Sequence, residues 1–495
     1  NQRLLPGLDD SHVPTAVQAS ADQGRLVLTA AGNTDAAFIV DSNNIPIQAG
    51  YYAGGVLGYC ERGSQLIIRN CRNAGNLSLY SRVGADDGVA LGNYVKSGEV
   101  NNAAPDGAAS VKLHFVGGIV GVNLENQIID HCSNTGNMSG CVGIGGIVGL
   151  NGGYIYNCAL SGNFGNAGLN YLGGIASINI QTSQETKNYT DKTYTAGTIE
   201  DCRTEQGRTV TGKDCVGGIV SWNLTDGLVK NCASAANVTA AGNCAGGTAG
   251  RNSGLIELAD ASSDTAARTV QGSRGEGVGG VVGVNEAGGQ LSISGGQNSQ
   301  VVAAGSGLTV MGQSSVGGII GINEGSLGNE ITYLVSQVKL VRASKGNAGG
   351  VVGTSRGKIT QAVNRSDDVR ADEGPAGGIT AVNESVITGC VNYGNVTSSA
   401  GYVGGIVAEN KGTIADSRVN DTNGGTVTLI GRGKDEMGAV CALNEGTIKG
   451  SMPVANVKLA GTASIFGGIA GRNKGIIEDT ELTYMPELSG SGSLT

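Results

Sequence analysis

Side chains able to do chemistry are few in this 495-residue chain. It has three histidines (His12, His114 and His131) and eleven cysteines without a CxxC pair, so zinc-site spacing is absent. The densest charge cluster is RSDDVRADEG, which brings Arg365, Asp367, Asp368, Arg370, Asp372 and Glu373 together. Clustered acids beside arginines suit cation binding, or hydrolysis of a glycosidic bond between two carboxylates. A solvated loop has the same composition, and Asp86–Asp87 is a thinner version of it. A second group, Lys187, Tyr189, Lys192 and Tyr194, carries phenols and ammonium groups suited to a glycan or a peptide. Trp222, the sole tryptophan, follows that segment. Glu286 and Glu324 occupy equivalent positions of neighbouring repeats and form a candidate calcium perch, the one cofactor reading available. His131, in IIDHCSN, has a structural reading, and no residue is assigned as catalytic.

Composition narrows the classes. There are 87 glycines but no glycine at every third residue, which excludes collagen. Apolar residues make up 39% of the chain with only 4 Phe and 1 Trp, so any core is narrow and filled by short branched side chains. The formal charge is −9, 15% of residues are charged, and no Lys/Arg cluster exists, which argues against nucleic acid. No apolar run is long enough to span a bilayer directly. The opening NQRLL has neither an initiator Met nor a secretion signal, so further domains of a larger parent chain are expected.

The elements that must position these residues are set by a repeat. Its anchor is the second residue of a Gly-Gly-Ile/Val step, found at Gly55, Gly88, Gly118, Gly146, Gly174, Gly218, Gly247, Gly280, Gly318, Gly350, Gly378, Gly405, Ala439 and Gly468. Intervals run from 27 residues (Gly378 to Gly405) to 44 (Gly174 to Gly218). The cleanest unit is GGIVGxNxG, then IxxCxNxGxV, then a variable stretch. Runs of four to six apolar residues cannot bury themselves. Stacked from successive coils they make parallel sheets that can. The expected fold is all-β: a right-handed parallel β-helix (β-solenoid) of about fourteen coils, each with three faces.

Five residues past the anchor stands Asn93, Asn123, Asn151, Asn179, Asn223, Asn252, Asn285, Asn323, Asn383, Asn410, Asn444 or Asn473, replaced only by Cys60 and Ser355. A stacked carboxamide bonds to the copy above and below, which predicts an internal amide ladder. A second ladder holds Cys71, Cys132, Cys158, Cys202, Cys232 and Cys390, with Ala362, Ser417, Ser451 and Thr480 in equivalent slots. Small volume is their shared property, so these thiols are read as packing groups in a reduced stack, although Cys132 and Cys158 come within disulfide range. The plus-three glycine marks crowding at one wall. At plus six, Arg356, Glu384, Lys411, Glu445 and Lys474 alternate in sign apart from the first step of the series, Glu286 to Glu324.

The GGIVGxNxG–IxxCxNxG unit resembles the GLUG repeat of bacterial extracellular proteins, including non-catalytic regions of some immunoglobulin A-cleaving metalloproteases. The resemblance spans about Gly54 to Gly475 and implies a secreted or cell-surface protein of bacteria. It brings no catalytic residue, and the protease motif HExxH is absent. The domain reading is an N-terminal cap or irregular first coil over 1–50, the solenoid over 51–480 and a boundary or linker over 481–495. The functional reading is a non-enzymatic extracellular rod, spacer or adhesin recognising a host or bacterial surface glycan or protein. The alternative is a carbohydrate-active β-helix enzyme.

Alternation raises one further expectation. If the aliphatic at plus one and Asn at plus five face inward, the apolar residues at plus two (Val120, Val282, Ile320) and plus four (Val122, Leu150, Trp222) face outward. Three arrangements then remain open: a bent strand that hides them, a covering segment or partner, or an exposed stripe that binds an apolar ligand.

Overall fold

The structure is a computed structural model and describes residues 17–22, 25–30, 45–48, 52–59, 66–80, 89–90 and, with short breaks, 112–490. His12, Cys60, Asp86, Asp87, Gly88, Asn93, Ser451 and the tail 491–495 lie outside the described residues, as does most of 1–50. Two compact units, Asn1–Ala236 and Asn237–Thr495, are built to one plan, a parallel β-solenoid.

A turn has five short strands where three faces are expected. In the first unit a representative turn is Phe115–Gly117, Val120–Asn123, Gln127–Asp130, Ser133–Asn134 and Met138–Ser139. In the second it is Ala376–Gly377, Thr380–Asn383, Val386–Thr388, Val391–Asn392 and Asn395–Ser398. Two devices add the extra corners. One is the bend at the anchor. The other is a left-handed residue just before the cysteine slot: Asn70, His131, Asn157, Asp201 and Asn231 in the first unit, Gln361, Asp416 and Asp479 in the second, all with φ between 45° and 56°. Asn and Asp tolerate that region best, which accounts for most of these choices.

Stacking is in register. Val120, Val148, Ala176 and Val220 align, as do Asn123, Asn151, Asn179 and Asn223. Between Gly55 and Gly118, where the repeat also places an anchor at Gly88, the described strands leave no room for a coil. Tyr52–Gly54 pairs directly with Phe115–Gly117, and the intervening Val89–Ala90 makes an antiparallel pair with Lys112–Leu113. The segment therefore copies the repeat locally without adding a coil, and the coil count falls below fourteen. Upstream, Arg25–Ala30 pairs in parallel with Leu66–Arg69, while Val17–Asp22 runs back antiparallel along it.

Glycine at the anchor has a specific cause. A Cβ on Gly350 would collide with the Gly378 carbonyl oxygen and the Asn364 carboxamide. The plus-three glycine meets a different wall: a Cβ on Gly149 would lie 2.5 Å from the Val116 nitrogen and 2.6 Å from the Phe115 carbonyl carbon. Where Ser replaces it, the hydroxyl bonds backbone instead, Ser177 to the Tyr171 carbonyl and Ser221 to the Cys215 carbonyl, both at 2.7 Å.

Plus-one aliphatics fill the core from Ile119 to Ile406; Val56 and Ile469 are only half-buried. Val120, Val282 and Ile320 at plus two are 1%, 0% and 0% exposed, so no apolar stripe is open there. The chain bends between plus one and plus two, and both side chains are buried. Among the plus-four residues, Val122, Leu150 and Ile178 are also fully buried.

Candidate functional site

The interior is occupied by ladders. In the first unit Asn123 Nδ2 donates to Asn151 Oδ1 (2.7 Å), Asn151 to Asn179 (2.7 Å) and Asn179 to Asn223 (2.8 Å). In the second, Asn252 donates to Asn285 (2.8 Å), Asn285 to Asn323 (2.9 Å), Asn383 to Asn410 (2.8 Å) and Asn410 to Asn444 (2.8 Å). Ser355 takes the incoming bond but does not pass it on to Asn383: its hydroxyl accepts from Asn323 at 3.4 Å and donates to the Gly357 carbonyl at 2.8 Å. The amides also satisfy backbone carbonyls such as Gly227, Gly254 and Gly289. These asparagines are thus consumed by structure.

A second amide ladder lies two residues past the cysteine slot. Asn73 donates to Asn134 (3.0 Å), and Asn364 to Asn392 (2.8 Å). The N of CxN is its signal, visible in the motif but overshadowed by the cysteine.

The cysteine column is reduced and mostly buried. Volume alone does not select it. Most slots hold an atom that donates to a carbonyl two residues back, and several of these also accept a neighbouring backbone N–H. Cys158 Sγ accepts from the Cys132 nitrogen (3.3 Å) and faces the Tyr156 carbonyl (3.3 Å). Ser417 Oγ does the same for the Cys390 nitrogen (3.2 Å) and the Ala415 carbonyl (2.8 Å). This corrects the size argument: Cys, Ser and Thr share a hydrogen-bonding role, and Ala362 is the exception. Burial pushes the Cys390 thiol up to about 12, far from nucleophilic character at neutral pH.

The insertion is an ordered hairpin, Thr186–Tyr189 antiparallel to Lys192–Thr195, rather than an open loop. The side chains of Lys187, Tyr189 and Lys192 lie outside the described residues. Tyr194 is not a free contact residue: it is 6% exposed and stacks on Tyr154 at 4.6 Å with an 11° tilt. With Ile67 and Ile128 these two rings form an apolar cluster, and Tyr156 packs against it. Burial, then the bond to Glu200 (2.5 Å), pushes the Tyr154 phenol above its ordinary range. Along the neighbouring outward column stand Arg69, Asp130, Tyr156, Glu200 and Lys230. Arg69 Nε holds Asp130 at 3.0 Å, and Lys230 lies 3.9 Å from Glu200. His131 Nε2 accepts from Asn157 Nδ2 at 2.8 Å, leaving Nδ1 to carry the proton toward Asp130. The histidine thus braces a corner.

Trp222 is 1% exposed, which overturns its surface role. It does lie opposite Asn223 along the strand, but Tyr171 covers it in a parallel stack at 6.1 Å. Tyr171 sits at φ 60°, in the turn entering the preceding coil, and that turn closes over the plus-four position.

In the second unit the RSDDVRADEG acids do not converge. Asp367 is exposed, Asp368 begins a strand, and Asp372 accepts from Arg342 Nε at 2.9 Å and Arg370 Nε at 3.0 Å. Burial raises the Asp368 carboxyl, with Arg370 opposing; the two arginines outweigh burial at Asp372 and hold it below the usual range. Glu286 is buried against Arg251 and Ser253, while Glu324 meets Arg356 at 3.2 Å. Among the described residues no group of three or more His, Cys, Asp or Glu could hold a metal ion. The plus-six column pairs as its signs require: Arg356 with Glu384 at 3.3 Å, Lys411 with Glu384 at 3.8 Å, and Lys474 with Glu445 at 2.9 Å.

No family model, curated protein or solved structure matches the chain.

Proposed function

We propose that this chain is a non-enzymatic domain of a bacterial secreted or surface protein, a spacer or adhesin that recognises a glycan or protein through its outer walls. The GLUG-like motif supports that setting. The observation that carries the reading is the docked hairpin. The insertion into the repeat is clamped to an outer wall by Tyr194 on Tyr154, which presets its geometry at little entropic cost on binding. The interior polar residues are engaged in ladders, which leaves outer positions for recognition.

The enzyme reading has one observation in its favour. Asp130 and Glu200 share an outward column two turns apart, on the order of 10 Å by strand spacing, with Tyr156 between them. Against it, Asp130 is held by Arg69 and His131, and Glu200 by Tyr154. Screening the chain on immobilised and soluble glycans for both retention and product release separates the two. Retention without turnover, lost when 186–195 is replaced by a Gly-Ser link, is the expected result. Product release abolished by Glu200→Gln would overturn it.

A further inference from the structure

On the second unit, one outer wall stacks Val302, Val335, Val363 and Val391 in register, and the next residue in that column is Arg418. The valines are nearly buried, and Tyr333 and Tyr393 pack against them. Arg365 extends over this wall: its guanidinium lies 4.5 Å from the Tyr393 ring centroid, and Nη2 reaches back to Gln300 Oε1 at 3.4 Å. Arg418 Nη2 donates to the Tyr393 hydroxyl at 3.1 Å, and that hydroxyl donates to Asp421 at 3.1 Å. Two exposed guanidiniums from different turns therefore touch one tyrosine.

Among the described arginines of this unit that meet no carboxylate (Arg274, Arg365, Arg418 and Arg432), Arg365 and Arg418 share contact with one ring. Arg251, Arg268, Arg342, Arg356, Arg370 and Arg472 each meet a carboxylate. Among the described residues Arg365 and Arg418 form no ion pair, and each uses one N–H of its five. Stacking on Tyr393 and the bond to its hydroxyl fix both planes in advance, so little rotamer entropy remains to be lost when an oxyanion arrives.

We propose that Arg365, Tyr393 and Arg418 form a binding site for the carboxylate or sulfate of an acidic polysaccharide. The proposal deepens the recognition reading above and rests on it. A guanidinium offers paired donors to either oxyanion. The polar groups in contact with this trio are Gln300 and Asp421, whose oxygens accept hydrogen bonds from sugar hydroxyls. An acidic peptide brings carboxylates but not the dense array of hydroxyl donors that a sugar offers these acceptors.

Affinity electrophoresis of the full chain in gels containing polygalacturonate, dextran sulfate or neutral dextran tests the site. Retardation by polygalacturonate or dextran sulfate, and none by dextran, is expected, and the two anionic arms separate carboxylate from sulfate recognition. Arg365→Gln with Arg418→Gln should weaken binding by roughly a hundredfold, taking about tenfold per charged contact. Tyr393→Phe, which keeps the ring but frees Arg418, should cost about threefold. The pair Arg274→Gln and Arg432→Gln removes the same charge from exposed positions elsewhere on the unit and should change retardation by less than about twofold. Equal losses in both pairs would mean bulk charge and overturn the site. So would retention of poly-glutamate, but of neither polysaccharide, with the same arginine dependence. Glycan binding that survives the Arg365/Arg418 change overturns this site and leaves the recognition reading standing. Absence of any glycan or protein binding removes both.

Discussion

The position after the ladder asparagine differs between the two units. In the first it is Leu124, Gly152, Ile180 or Leu224, all buried. In the second, Ser253 and Glu286 are also buried, but from Glu324 onward the position (Glu324, Arg356, Glu384, Lys411, Glu445, Lys474) is exposed and charged, with ion pairs between turns. The asparagine beside it makes the same bonds in both. Interior ladder and outer residue are thus independent variables. The ladder specifies the coil, and the next residue specifies whether that corner is covered or wet.

Substitutions at shared positions should injure both units, while those at plus six should discriminate. The largest effect is expected from Gly350→Val, whose Cβ meets the Gly378 carbonyl and Asn364; urea unfolding should show a loss of at least about 3 kcal/mol. Asn410→Leu strands the partners at Asn444, Gly412 and Thr447 and should cost about 2–4 kcal/mol, with Asn410→Ser nearer half because Ser355 already serves that slot. The plus-six swap sharpens the contrast. Leu224→Glu buries a carboxylate and should cost about 2–3 kcal/mol, whereas Glu384→Leu should cost at most about 1 kcal/mol and less in high salt. Cys390 contributes no pH effect at neutrality and shows itself only in alkali. Its thiol is raised, so the unfolded chain releases that proton first; stability is full below the unfolded value near 9.0 and falls as pH climbs toward about 12. Cys390→Ser should flatten that decline in pH-dependent unfolding.

Much of this was legible in the sequence. The anchor period, the plus-one aliphatics and the plus-five asparagines all follow from stacking. Three failures share a cause. Gly88 begins a local match in sequence, but Tyr52–Gly54 pairs directly with Phe115–Gly117, and pairing is a property of the turn before and after. Trp222 was placed on the correct side of its strand, yet a side facing away from the ladder is not a side facing water, because Tyr171 lies over it. Tyr194 has the composition of a contact residue but serves to fasten the hairpin. Period-two reasoning assigns faces; it does not know which loops return to cover them. The Arg365–Tyr393–Arg418 group was hidden for a similar reason: its members are 25 to 28 residues apart and meet only through stacking.

The amide ladders have an orientation. Within each unit every bond between ladder asparagines runs the same way, from Nδ2 of one turn to Oδ1 of the turn that follows in sequence. A newly formed turn therefore leaves an N–H aimed at the place where the next carboxamide oxygen must arrive. A turn that arrives one residue out of step offers an aliphatic side chain or a charged one instead, and the donor is left buried and unmet. The ladder thus penalises a slip of register at each turn it spans.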